Sequence, residues 1–128
     1  MSYFFAKTLE AGFDEAVARP PQALKAQGFG VLTEIDVAQT LKTKIGVDFR
    51  PYLILGACNP KLAHEALSAE PNIGLMLPCN VVLQDAGGGK TEISAIDPVA
   101  SMAAVDNARL REAAAQVQGL LRKAIEAI

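Results

Sequence analysis

The sequence predicts a single domain of mixed strands and helices, and three observations carry that prediction. Short β-prone apolar runs alternate with segments of helical periodicity from Tyr3 to Ala69, in the order strand, helix, strand, helix, strand, helix. Two further strands, Val81-Val82-Leu83-Gln84 and Thr91 to Ile96, flank the glycine tip Gly87-Gly88-Gly89, and such a pair closes as an antiparallel hairpin. A final stretch repeats apolar residues at Leu110, Ala113, Ala114, Val117, Leu120, Leu121, Ala124 and Ile125, which is one face of a long helix.

Each element has a local reason. Tyr3 to Leu9 is the first strand, ended at Gly12. Asp14-Glu15-Ala16-Val17 starts a helix with an acidic first turn, but Pro20 and Pro21 deny it backbone donors and predict a break. Pro21 then opens a second helical piece, Gln22 to Gln27, closed by Gly28. Phe29 to Ile35 is a strand, and Asp36 caps a helix carrying Val37, Leu41 and Ile45 that stops at Gly46. Phe49 to Ala57 is the third strand, with Pro51 at its beginning and an apolar run that predicts burial on both faces.

Asn59-Pro60 pairs a capping side chain with a first-turn proline, and Leu62, Ala63, Ala66 and Leu67 form the buried stripe of the helix that follows. Asn72 to Leu77, if extended, returns the chain to the starting end of that helix. Asp97-Pro98 ends the hairpin, and Asp106 is placed to cap the last helix. Met76, Met102 and the phenylalanines read as core.

Composition narrows the function classes. With 128 residues, the chain is long enough to build one core from packing alone. Hydrophobic residues make up 51%, yet charges interrupt every long apolar stretch, so no membrane span is expected. The start Met1-Ser2-Tyr3-Phe4-Phe5-Ala6-Lys7 lacks the pattern of a secretory signal, which predicts a cytoplasmic protein. A net charge of -2 offers no cationic field for phosphates, so nucleic acid is not an expected partner.

The two cysteines stand in similar settings, Gly56-Ala57-Cys58-Asn59-Pro60 and Leu77-Pro78-Cys79-Asn80-Val81, and two are too few for a disulfide scaffold. Cys58 ends a strand directly before a helix N-terminus, where unpaired amides favour a thiolate. That placement predicts Cys58 as the more reactive thiol, with Cys79 beside it at one end of neighbouring strands. Asn59, Asn80 and Asp97 complete the expected site as polar walls. The competing reading treats both cysteines as small apolar core residues.

Other candidates fall away. His64 with Cys58 and Cys79 matches no zinc spacing and reads as a solvent-facing helical histidine, so no metal site is expected. Gly87-Gly88-Gly89-Lys90-Thr91 lacks the leading glycine and the following helix of a phosphate loop, and nothing else calls for a cofactor. Glu34 and Asp36 share a strand face, but Asp36 is needed as a cap. Arg50 and Tyr52 are placed to meet an anion or a surface salt bridge.

Taken together, Gly28-Phe29-Gly30-Val31-Leu32-Thr33-Glu34-Ile35-Asp36, Gly56 to Pro60 with Ala63 and Ala66-Leu67, Leu77 to Val81, and Asp97-Pro98 resemble the domain of unknown function 302 family over nearly the whole chain. The resemblance implies an α+β domain with a curved antiparallel sheet of about five strands, TATA-binding-protein-like, packed with a long C-terminal helix and forming a homodimer. It carries the family's cysteines onto Cys58 and Cys79, its Asn-Pro onto Asn59 and Pro60, and its Asp-Pro onto Asp97 and Pro98. Arg19-Pro20-Pro21 departs from the family's uninterrupted first helix. The reading that follows is a dimeric cytoplasmic domain binding a small ligand in a thiol-containing pocket. Its alternatives are a thiol-dependent enzyme or redox protein, with Cys58 as nucleophile and Cys79 as resolving partner, and a structural interaction module.

Overall fold

In the computed structural model, which describes residues 2–128, five antiparallel strands form one open sheet in the order β1-β5-β4-β3-β2. The strands are β1 (Phe4–Leu9), β2 (Gly30–Asp36), β3 (Tyr52–Cys58), β4 (Cys79–Gly87) and β5 (Lys90–Ile96). The helices are α1 (Phe13–Ala16), α2 (Pro20–Ala26), α3 (Val37–Ile45), α4 (Pro60–Ala69), α5 (Pro98–Ser101) and α6 (Ala108–Glu126). This is the α+β arrangement with a long C-terminal helix that the sequence predicts.

One face of the sheet holds the core. Leu53, Leu55, Ala57, Cys79, Val81, Leu83, Ile93 and Ala95 pack there against Leu24 of α2 and Leu121, Ala124 and Ile125 of α6. Alternation along each strand sends the intervening residues to the other face, which no helix covers over β4 and β5. Ile54 is therefore half-exposed, and the expected burial of β3 on both faces is not met. An unbroken apolar run does not distinguish a strand sandwiched between layers from one facing helices on a single side.

Local signals mostly hold. The prolines do break the first helix, although α2 begins at Pro20, one residue before the expected start, and buries that ring. The hairpin is tighter than expected, because β4 runs on to Gly87 and only Gly88 and Gly89 remain at the tip with φ of 60° and 76°. Asn107, not Asp106, caps α6: its Oδ1 accepts from the Leu110 N–H at 3.1 Å and its Nδ2 donates to the Ala69 carbonyl at 2.8 Å. An amide serves both elements at once, which a carboxylate cannot do, and Asp106 pairs with Arg111 at the surface.

The return from α4 is also different. Pro71–Met76 coils as a 3₁₀ segment where an extended run was expected. A 3₁₀ residue advances about 2 Å, so six still retrace most of a ten-residue helix. The coil leaves Leu75 and Met76 outside, Leu75 at 89% exposure. Met76 is thus not core, nor are Phe4 and Phe49, whereas Met102 and Phe29 are buried.

Candidate functional site

Antiparallel register sets Cys79 opposite Ala57, so both cysteines lie at one end of neighbouring strands. A residue displaced by one from its cross-strand partner lies about 6 Å away between Cα atoms. Cys79 shares the inner face with Ala57. Cys58 is the last residue of β3, where the chain turns into α4, and it reaches the same cavity from the rim. Both are free thiols, Cys79 buried and Cys58 half-buried.

The cavity holds about 30 Å³ and lies between the cysteine end of the sheet and helices α4 and α6. Phe29, Leu62, Ala66, Leu110 and Val117 give it hydrocarbon walls, while Pro98 and Met102 close it from the side of α5. Among the described residues Asn59 is the lone lining residue with nitrogen or oxygen in its side chain, and its Oδ1 already accepts from the Leu62 N–H at 3.2 Å as the cap of α4.

Two expected wall residues stand elsewhere. Asn80 follows the inward Cys79 and is therefore turned to the uncovered sheet face, where it lines a shallow groove with Tyr52 and Gln84. Asp97 does not line the cavity. Its Oδ1 accepts from the Val99 N–H at 2.9 Å, and both its carboxylate oxygens accept from Gln118 Nε2, at 2.9 and 3.0 Å, tying α5 to α6. It is a structural cap. Met102 is the cavity residue that sequence reasoning placed only in the core, since a methionine after a short helix carries no local signal of a site.

The expected activation of Cys58 is not found. Burial raises its pKa above the ordinary value, opposite to the helix-terminus effect. Burial also pushes Cys79 up, from 9.0 to about 11, with the negative charge of an ionised Cys58 adding to the rise. Pro60 has no N–H and that of Leu62 is taken by Asn59, which leaves the α4 N-terminus fewer free donors to oppose this loss of hydration. Burial thus favours the neutral thiol at both positions.

An alkaline stability limb follows. Between about pH 9 and pH 11 the unfolded chain loses the Cys79 proton while the folded chain keeps it, so stability falls as pH rises through this window. The full effect is on the order of 2–3 kcal/mol. Chemical denaturation at stepped pH is expected to show this decline in the native chain and a shallower one in Cys79→Ala. Equal slopes would show that Cys79 ionises as freely folded as unfolded.

The remaining candidates are structural or idle. Asp36 Oδ1 caps α3 by accepting from the Gln39 N–H at 2.9 Å. Among the described residues Arg50 meets no carboxylate; its Nε donates to Gln84 Oε1 at 3.0 Å, and its guanidinium lies 4.5 Å from the Phe49 ring centre. His64 is exposed on α4 and does not line the cavity. Among the described residues no three His, Cys, Asp or Glu side chains group as metal ligands, and no helix is long and apolar enough to cross a membrane.

This geometry can be set beside known proteins. The family described as Domain of unknown function DUF302 matches residues 5–128. The chain belongs to this family. The crystal structure of an uncharacterized conserved DUF302 protein from Bacillus stearothermophilus is similar to it, with a TM-score of 0.90, 30% identity and 98% of each chain covered. The DUF302 resemblance read from the motifs and the five-stranded α+β fold are thereby shown. A comparison with curated proteins found no match.

Proposed function

We propose that this DUF302 chain is a binding domain whose pocket is the thiol-lined cavity, and that it takes a ligand of a few heavy atoms, a sulfur species or a small electrophile. The observation that carries this reading is the convergence of Cys58 and Cys79 on one apolar cavity beneath α4 and α6. A volume near 30 Å³ limits the occupant, because an engineered cavity of about 150 Å³ is what holds benzene. The raised thiols favour binding over turnover, since the nucleophile of a thiol enzyme is the thiolate. No histidine or carboxylate lines the cavity to act as a base.

Titration of the labelled protein with sodium hydrosulfide, and pressurisation with xenon as an apolar probe, tests the pocket. Methyl resonances of Leu62, Leu110 and Val117 are expected to shift together, and Ala63→Leu, which fills the cavity from its half-buried side, is expected to abolish the shifts. Scattered surface shifts, or shifts unaffected by Ala63→Leu, would refute it.

We also propose that the domain functions as a homodimer. Support comes from the segment Gly30 to Pro51, which contains no buried residue although it includes all of β2 and α3. Leu32 and Ile35 of the edge strand β2 are 65% and 48% exposed and Ile45 at the end of α3 is 66% exposed, and the backbone of β2 has one unpaired side. A second copy placed against this edge covers both. Light scattering at tens of micromolar is expected to give a dimer mass for the native chain and a monomer mass for a Leu32→Lys, Ile35→Lys double variant. A native monomer would end this proposal without touching the pocket.

A further inference from the structure

We propose that Cys58, Cys79 and Met102 form a binding site for a soft monovalent cation, Cu(I) or Ag(I). The inference rests on the cavity being a ligand pocket and names the chemistry of its ligand. Four sulfur side chains occur among the described residues, and three of them line this one cavity; the fourth, Met76, is exposed at the surface. They come from separate places in the chain: the end of β3, the start of β4 and the residue after α5.

Core packing explains a buried cysteine or methionine taken singly, because either fills space as an apolar side chain. It does not account for three sulfurs from distant parts of the chain bordering one cavity. Thiolates bind both Cu(I) and Zn(II), but a thioether donor favours Cu(I), and Zn(II) takes four ligands where this cavity offers two thiols and a thioether, with no imidazole or carboxylate to complete the set. Its small size suits an ion held directly by sulfur and excludes an organic group of aromatic size.

Binding is an exchange without redox change. The two S–H bonds release their protons to solvent, the cation forms bonds to both thiolate sulfurs, and a lone pair of the Met102 sulfur completes the set. The metal remains monovalent throughout. The product carries one net negative charge at Cys58 and Cys79, and the N-terminus of the ten-residue α4 begins two residues after Cys58 to offset part of it.

Anaerobic titration of the whole protein with Cu(I), against a chromogenic Cu(I) chelator as competitor, tests the site. One ion per chain is expected, with sulfur-to-copper charge-transfer absorption in the ultraviolet. Cys79→Ala is expected to weaken binding by at least about a hundredfold, and Met102→Leu, which keeps volume and loses only the thioether, by about tenfold. Equal amounts of Zn(II) are expected not to displace the ion. Cu(I) held as tightly by both variants as by the native chain would overturn the proposal. X-ray absorption of the Ag(I)-loaded native protein is independent of variant folding: three sulfur neighbours support the site, and a shell of nitrogen or oxygen refutes it. Hydrosulfide or xenon uptake without tight Cu(I) binding would overturn the cation and leave the pocket standing. Failure of all three probes would overturn both.

Discussion

Leu110→Ala is expected to destabilise the domain by about 3–5 kcal/mol, in the upper part of the range for large-to-small core substitutions. Leu110 is wholly buried in the second cluster, with Ala66, Ile73, Met102 and Ala114, and it also lines the cavity. Truncation there extends a void that already exists. The neighbours Ala66 and Ala114 are too short to collapse into it, so little of the lost contact is recovered. For a domain whose total stability is on the order of 5–15 kcal/mol, this removes a large share. Urea denaturation is the measurement, and a change below about 1 kcal/mol would mean that α6 repacks onto the sheet. The same variant is expected to alkylate faster at Cys79, which borders the same cavity and gains access as the void grows.

Gly56→Ala is expected to cost about 1–3 kcal/mol, although alanine normally improves a strand interior by restricting the unfolded chain. The sign reverses because a Cβ at this position runs into the Thr33 hydroxyl and lies 2.6 Å from Cγ of Pro78. The Pro78 ring cannot turn aside as a flexible side chain would. Relief requires moving the start of β4, hence Cys79, relative to β3. A melting temperature lower by roughly 3–10 °C is expected. A stabilised Gly56→Ala would show that Thr33 and Pro78 yield freely and that glycine is not required here.

The reach of each signal explains what could be read in advance. Asn59 as cap of α4, Asp36 as cap of α3 and Gly46 closing α3 with φ of 69° each depend on residues within four positions. Asn80, expected as a wall of the site, lies on the other sheet face, because a period of two turns it out once Cys79 is inward. The Thr91 hydroxyl, which donates to the Ala11 carbonyl across 80 positions, was not legible in advance.

The sequence by itself determined the breaks, the caps of α3 and α4, the hairpin, the long final helix and the family, because these are written in neighbouring residues and motif order; the cap of α6 went to Asn107 and not to the expected Asp106. It also brought Cys58, Asn59 and Cys79 forward as one candidate group. Only the tertiary structure decided the strand order, the uncovered sheet face and the exclusion of Asn80 and Asp97 from the cavity. It alone brought Met102 to the same cavity as the cysteines and set burial against the expected lowering of the Cys58 pKa. The reason is desolvation. A helix terminus acts on Cys58 from the next residues in sequence, but the hydrocarbon that strips water from both thiols comes from α4 and from α6 some 50 positions away, and no local pattern records how closely those helices pack.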